Sequence, residues 1–244
     1  MSDGVVFRDL PRDEQLTLCR RGTAHFARHL GTLSDAQLGE PCDLDGWTRR
    51  HLLAHVAYNA AALCRLMDWA ITGTENPMYA SPAARAAEID KGATLPPSAL
   101  RNLFDHTVAR LDEKWRNASP SAWSARVRSA QGRDIAAAET IWMRAREVWV
   151  HAVDLGTGAR FGDAPPEVLD GLLSDVVTRW RSTGEGSVLE LRAAGRAPIA
   201  IDDAMPPAAR TPVAGDLAAV TRWAAGRGAV GLSDGPSDPP PHWL

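Results

Sequence analysis

Between Ala136 and Leu155 the chain reads AAAETIWMRAREVWVHAVDL, and apolar residues occupy nearly every side of a helical wheel. The polar residues Thr140, Arg144, Glu147, His151 and Asp154 fall on one stripe, because three- and four-residue steps return to the same face of a helix. Trp142, Met143, Val148, Trp149, Val150 and Val153 flank that stripe. The pattern predicts a helix buried over much of its surface, so its Glu and His need partners inside the protein.

Three more segments carry helical periodicity. Asp13 to Leu33 places Leu16, Cys19, Phe26 and Leu30 at helical spacing. Thr48 to Thr72 follows the turn Asp45-Gly46-Trp47, with Thr48 as the expected N-cap and a strongly apolar run behind it. Pro97 to Asn117 sets Leu100, Leu103, Val108, Leu111 and Trp115 on a helical period. A long connection, Gly73 to Pro97, joins the second and third segments and carries a short helix at Pro82 to Lys91. The expected architecture is a four-helix bundle with a crossover.

The pattern changes near Gly156. Pro165 to Ser182 reads as a helix beginning in prolines. Ser187 to Arg192 alternates as a strand does, and Ala197 to Asp202 and Thr211 to Ala214 are shorter strand candidates. Asp216 caps a last helix, Leu217 to Ala225, and a proline-rich tail follows. The overall expectation is an α+β two-domain chain: a metal-binding four-helix bundle over 1–158, then a small α+β domain over 159–244.

Composition narrows the function. A net charge of −3 argues against electrostatically driven nucleic-acid binding. No apolar run is long enough to span a membrane, and no secretory signal is visible at the N-terminus. Cys19, Cys42 and Cys64 form no paired framework, which suits a reducing, cytoplasmic setting. Nine tryptophans against four phenylalanines give pocket walls as well as core. There is no GxGxxG, P-loop or Gly-x-Ser-x-Gly.

The candidate chemistry lies on the buried stripe. Glu147 and His151 stand one helical turn apart, a spacing that also suits a plain ion pair. With one His from His51-Leu-Leu-Ala-His55 they make a two-His, one-carboxylate set, which leaves a coordination position of zinc open, as catalytic sites do. His51 falls in the first turn, near solvent, and His55 one turn deeper, so depth favours His55. Read as structural residues, His51 caps the helix and His55 is a satisfied core histidine. His25 and His29, among arginines on the first helix, read as a solvated or interhelical pair.

The segments GWTRRHLLAHVAYNAAAL, ETIWMRAREVWVHAVDLG and TRWAAGRG, in this order, resemble the mycothiol-dependent maleylpyruvate isomerase family of the DinB-like metal-binding bundle superfamily. The resemblance runs essentially the whole length. It implies a divalent metal, usually zinc, on His55, Glu147 and His151, and a catalytic arginine at Arg227. It also implies mycothiol as thiol cofactor and a small dicarboxylate as substrate, turned from the cis to the trans isomer by reversible thiolate addition. On this expectation Arg227 serves a site between the two domains, Arg144 is a second anion-binding candidate, and Asp154 orients His151. A mycothiol S-transferase and a non-enzymatic metal or small-molecule sensor are the alternatives. Neither a nucleic-acid nor a membrane partner is expected, and a monomer is compatible with the chain.

Overall fold

A computed structural model describes residues 6–243; residues 1–5 and 244, the outermost parts of the two expected domains, lie outside it. The chain forms two compact units. One holds residues 16–159. The other runs from Arg160 onward and includes the stretch ahead of Leu16, which the sequence pattern had drawn into the bundle. Phe7 is fully buried there, and the guanidinium of Arg8 meets Asp175 at 2.8 Å.

The first unit is built on α1 (Arg12–Gly31), α2 (Arg49–Thr72), α4 (Pro97–Asn117) and α6 (Glu139–Asp154), with the crossover helix α3 (Pro82–Ala93) between α2 and α4. The ends follow local chemistry. The Thr48 hydroxyl and the His51 imidazole form a reciprocal capping box at the start of α2. Gly73 ends α2 at φ 72°, a left-handed conformation that glycine adopts without strain. Ser81 caps α3 by accepting from the Ala84 N–H, and proline opens both α3 and α4.

Helix α2 packs against α3, α4 and α6 and is buried on most sides from Leu52 to Met67. Across the bundle, Phe26 and Phe104 set their rings 5.3 Å apart. Two glycines let helices approach closely. A Cβ on Gly22 of α1 would come within 2.5 Å of the Trp149 indole nitrogen and 2.8 Å of Val148. A Cβ on Gly92 of α3 would meet Tyr58 at 2.6 Å and Ala54 at 2.8 Å, beside His55. Before α6 the chain inserts a short helix, α5 (Pro120–Ser124), and a hairpin of β1 (Arg126–Arg128) with β2 (Asp134–Ala136). Periodicity did not predict these, since three-residue strands are too short to show an alternation.

The second unit contains α7 (Pro166–Thr183), β3 (Leu189–Ala193), β4 (Ile199–Ala200), β5 (Thr211–Gly215), α8 (Leu217–Ala224) and β6 (Leu232–Asp234). The sheet order is β4-β3-β5-β6, with β3 and β5 parallel and the outer pairings antiparallel. Asp216 caps α8 by accepting from the Ala219 N–H at 2.7 Å. Trp180 and Trp223 meet edge to face between α7 and α8, with ring centroids 6.2 Å apart.

Candidate metal centre

The stripe on α6 is a column of polar groups, most of them hydrogen-bonded inside the bundle. Thr140 accepts from the Trp115 indole N–H at 3.1 Å and donates to the Ala137 carbonyl at 2.6 Å. One turn on, Arg144 is 1% exposed, and its Nη1 donates to the Val56 carbonyl at 2.6 Å and to Asn59 Oδ1 at 3.0 Å. Arg144, the second anion-binding candidate, is thus a tie from α6 to α2 through Nη1. The tie grips α2 one residue beyond His55 and α6 one turn before Glu147. It therefore fixes the register in which the two helices present these residues to each other.

In that register His55, Glu147 and His151 converge. His55 Nε2 lies 2.5 Å from Glu147 Oε1 and 3.2 Å from His151 Nε2, and His151 Nε2 lies 3.3 Å from the same carboxylate oxygen. The imidazole planes stand at 85° to each other. On the far side of its ring, His151 Nδ1 lies 2.7 Å from Asp154 Oδ2, and Asp154 is fully buried. An acceptor at Nδ1 holds the proton there and turns the Nε2 lone pair toward Glu147.

These groups strongly perturb one another. Burial pushes the Glu147 carboxyl up, but His55 and His151 outweigh it and hold Glu147 well below the usual carboxylate range. Burial pushes His151 down, yet Asp154 and Glu147 raise it to about 9. His55 is lowered, chiefly by burial, with Glu147 opposing. Two imidazole nitrogens and one carboxylate oxygen are the N,O donor set of a catalytic zinc site. Bonds of about 2.0–2.1 Å at tetrahedral angles put neighbouring ligand atoms about 3.3 Å apart; the His55–His151 and His151–Glu147 separations match this, and the direct His55–Glu147 contact would open to admit an ion.

His51 is not part of this cluster. Its Nδ1 receives the Thr48 hydroxyl at 2.8 Å, so it serves the helix cap. His25 and His29 form an interhelical feature: His25 stacks on Trp149 with centroids 5.0 Å apart, and His29 Nδ1 lies 3.1 Å from the Thr157 hydroxyl. The edge of Trp47 faces His55, centroid to centroid 5.5 Å, and walls the donors. Cys19 and Cys64 are buried away from the cluster, their thiols pushed by desolvation to about 12 and about 11.

In the second unit, Arg227 sits in the turn after α8. Its N–H donates to the Arg222 carbonyl at 3.0 Å, its own carbonyl accepts from Arg222 Nε at 2.7 Å, and its Nη1 donates to Ala225 O at 2.6 Å. Gly226 and Gly228 on either side have φ of 77° and 84°. Two left-handed glycines around a backbone clamped at both polar groups make a rigid turn.

Sequence reasoning missed one polar neighbour of the donors. Arg85 of α3 places Nη2 3.4 Å from His55 Nδ1, the ring nitrogen opposite the cluster. Its position on a short, alanine-rich crossover helix gave no signal.

Residues 19–156 match the family profile described as mycothiol maleylpyruvate isomerase N-terminal domain. A crystal structure of the mycothiol-dependent maleylpyruvate isomerase aligns with a TM-score of 0.93 at 51% identity, covering 98% of this chain and 100% of that one. The crystal structure of a histidine-to-alanine mutant of a mycothiol-dependent maleylpyruvate isomerase aligns with the same TM-score and coverage at 50% identity. Comparison with curated proteins gives no match.

Proposed function

The chain belongs to the mycothiol-dependent maleylpyruvate isomerase family, and from that premise we propose that it converts maleylpyruvate to fumarylpyruvate using mycothiol and a zinc ion held by His55, Glu147 and His151. The observation that carries this reading is the convergence of three donors on facing helices, His55 buried and Glu147 and His151 part-buried. When bound, a divalent cation lowers the pKa of a thiol at its open position, and a thiolate adds reversibly to the activated double bond, which frees rotation before the thiol leaves.

The chain's own residues supply the rest. Two neutral imidazoles and one carboxylate contribute a single negative charge, so a divalent ion there keeps a net positive charge that favours anions. Asp154 holds the His151 ring in the ligating tautomer. Arg144 holds the two ligand helices in register. We assign Arg227 to binding or steadying the anionic substrate, a task for which a guanidinium on a rigid turn loses little freedom. No protein thiol is needed, because Cys19 and Cys64 stay protonated.

Incubation of the metal-loaded protein with maleylpyruvate and mycothiol, followed by ultraviolet absorbance and thiol titration, tests the proposal. Trans product with the thiol regenerated is expected. Stoichiometric thiol consumption would identify a transferase, and no change in either would overturn an enzymatic role.

A further inference from the structure

The face of His55 turned away from the donor cluster meets α3 of the crossover. There Arg85 Nη2 approaches His55 Nδ1 at 3.4 Å, at the long limit of a hydrogen bond. The same guanidinium bonds the side chain of Tyr79 and lies 5.9 Å from the centre of its ring. Arg65 of α2 lies 5.6 Å from that ring, and its Nε is committed to the Met78 carbonyl at 2.7 Å. Tyr79 is thus held between two cations. Among the described residues, no carboxylate lies within ion-pair distance of Arg85, in contrast to Arg65, whose Nη2 is 3.6 Å from Glu88. Gly92 allows the close packing of α3 on α2 that keeps Arg85 at this depth.

The contact between Arg85 and His55 is incompatible with ligation. An imidazole that binds a metal through Nε2 carries its proton on Nδ1, and that N–H needs an acceptor. Arginine has none to offer, only donors. With His55 in the ligating tautomer, the guanidinium and the Nδ1–H are both donors, and a shared acceptor would satisfy the two. A carboxylate resolves both deficits, accepting from Nδ1–H with one oxygen while pairing with the guanidinium. Arg85 is only half-buried and sits on a short helix, so its side chain has room to turn.

We propose that Arg85 is a carboxylate-binding residue of this metal pocket, holding one end of a dicarboxylate against the His55 side of the site. The assignment rests on the reading of the site as a pocket for an anionic substrate, and it gives the crossover helix a part in specificity. It makes the dianion, and not the thiol, the ligand that Arg85 selects.

The test uses the full-length, metal-loaded protein and two probes, maleate and its monomethyl ester, measured by calorimetry and as inhibitors. The native protein should bind maleate at least about tenfold more tightly than the ester, as expected for a charge-assisted, bidentate contact. Arg85→Ala should keep its metal by elemental analysis, lose about tenfold or more in maleate affinity, and bind the two probes alike. Arg85→Lys should fall between, since it keeps the charge without the planar fork. In turnover the loss should appear in KM more than in kcat. Undiminished preference for maleate in Arg85→Ala would overturn the proposal. So would equal weakening of both probes, or loss of the metal, which would make Arg85 a support for the fold or for His55. If the native protein fails to isomerise maleylpyruvate while the maleate preference still depends on Arg85, the proposed reaction falls and the carboxylate site stands.

Discussion

In the bundle unit the carboxylate of Glu147 faces two imidazoles; in the α+β unit the carboxylates of Glu190 and Asp170 face guanidinium groups. Glu190 on β3 takes Arg210 Nη1 at 2.9 Å and Arg192 Nε at 2.5 Å, and Asp170 of α7 takes Arg196 through a fork of contacts at 2.7–3.2 Å. The difference lies in what the partner can offer. Arginine only donates, so a carboxylate–guanidinium pair is saturated and closed. A neutral imidazole can offer a lone pair from one nitrogen while the other is held by an acceptor, as Asp154 holds His151. Similar acidic residues therefore make structural ties in one unit and, on the proposed reading, part of a metal donor set in the other.

The sharpest way to break this comparison is to remove one imidazole. His55→Ala should leave no stoichiometric metal and no measurable turnover, whereas His51→Ala should retain most of the metal, since His51 serves only the cap. Elemental analysis of both purified variants decides it, and full occupancy in His55→Ala would refute the assignment. The next effect tests whether the α+β unit contributes chemistry as well as closed pairs. Arg227→Ala should keep fold and metal yet lose about two orders of magnitude or more in kcat/KM, as when a charged contact to a transition state is removed. Near-normal steady-state kinetics would return Arg227 to a turn-stabilising role. A smaller loss should follow Asp154→Ala, which strips the acceptor from His151: metal affinity should weaken by about 10–100-fold in a chelator competition. Unchanged affinity there would show that the ring is oriented by packing alone. The smallest effect is on stability. Gly22→Ala forces a methyl group into an indole already held by its N–H on Leu18 O at 3.3 Å. Overpacking costs about 1–3 kcal/mol, and the better helix propensity of alanine offsets about 1 kcal/mol of it. A net drop in thermal midpoint is expected, with metal stoichiometry unchanged.

The bundle and the convergence of His55, Glu147 and His151 were legible because the information is local. A 3.6-residue period placed Thr140, Arg144, Glu147, His151 and Asp154 on one buried face, and depth along α2 separated His55 from His51. The crossover helix was also visible from Ser81-Pro82. What could not be read depends on pairing between distant residues. The β1–β2 hairpin has three-residue strands with exposed arginines. The tie of Arg144 to Val56 and the approach of Arg85 to His55 span 88 and 30 residues. The grouping of the first residues with α7 turns on Phe7 and Arg8, which carry no periodic signal.

The depth of the cysteines bears on how long such a protein lasts in use. A substrate with an activated double bond alkylates any exposed thiolate it meets, and a neighbouring catalytic thiol keeps that chemistry close at hand. Burial raises Cys64 to about 11 and Cys19 to about 12, which keeps both as unreactive thiols at neutral pH. Cys42 is only part-buried, but it too is raised, chiefly by desolvation. Burial thus spares the protein's own sulfur from the electrophile it handles, so inactivation by its substrate should be slow on the scale of its turnover.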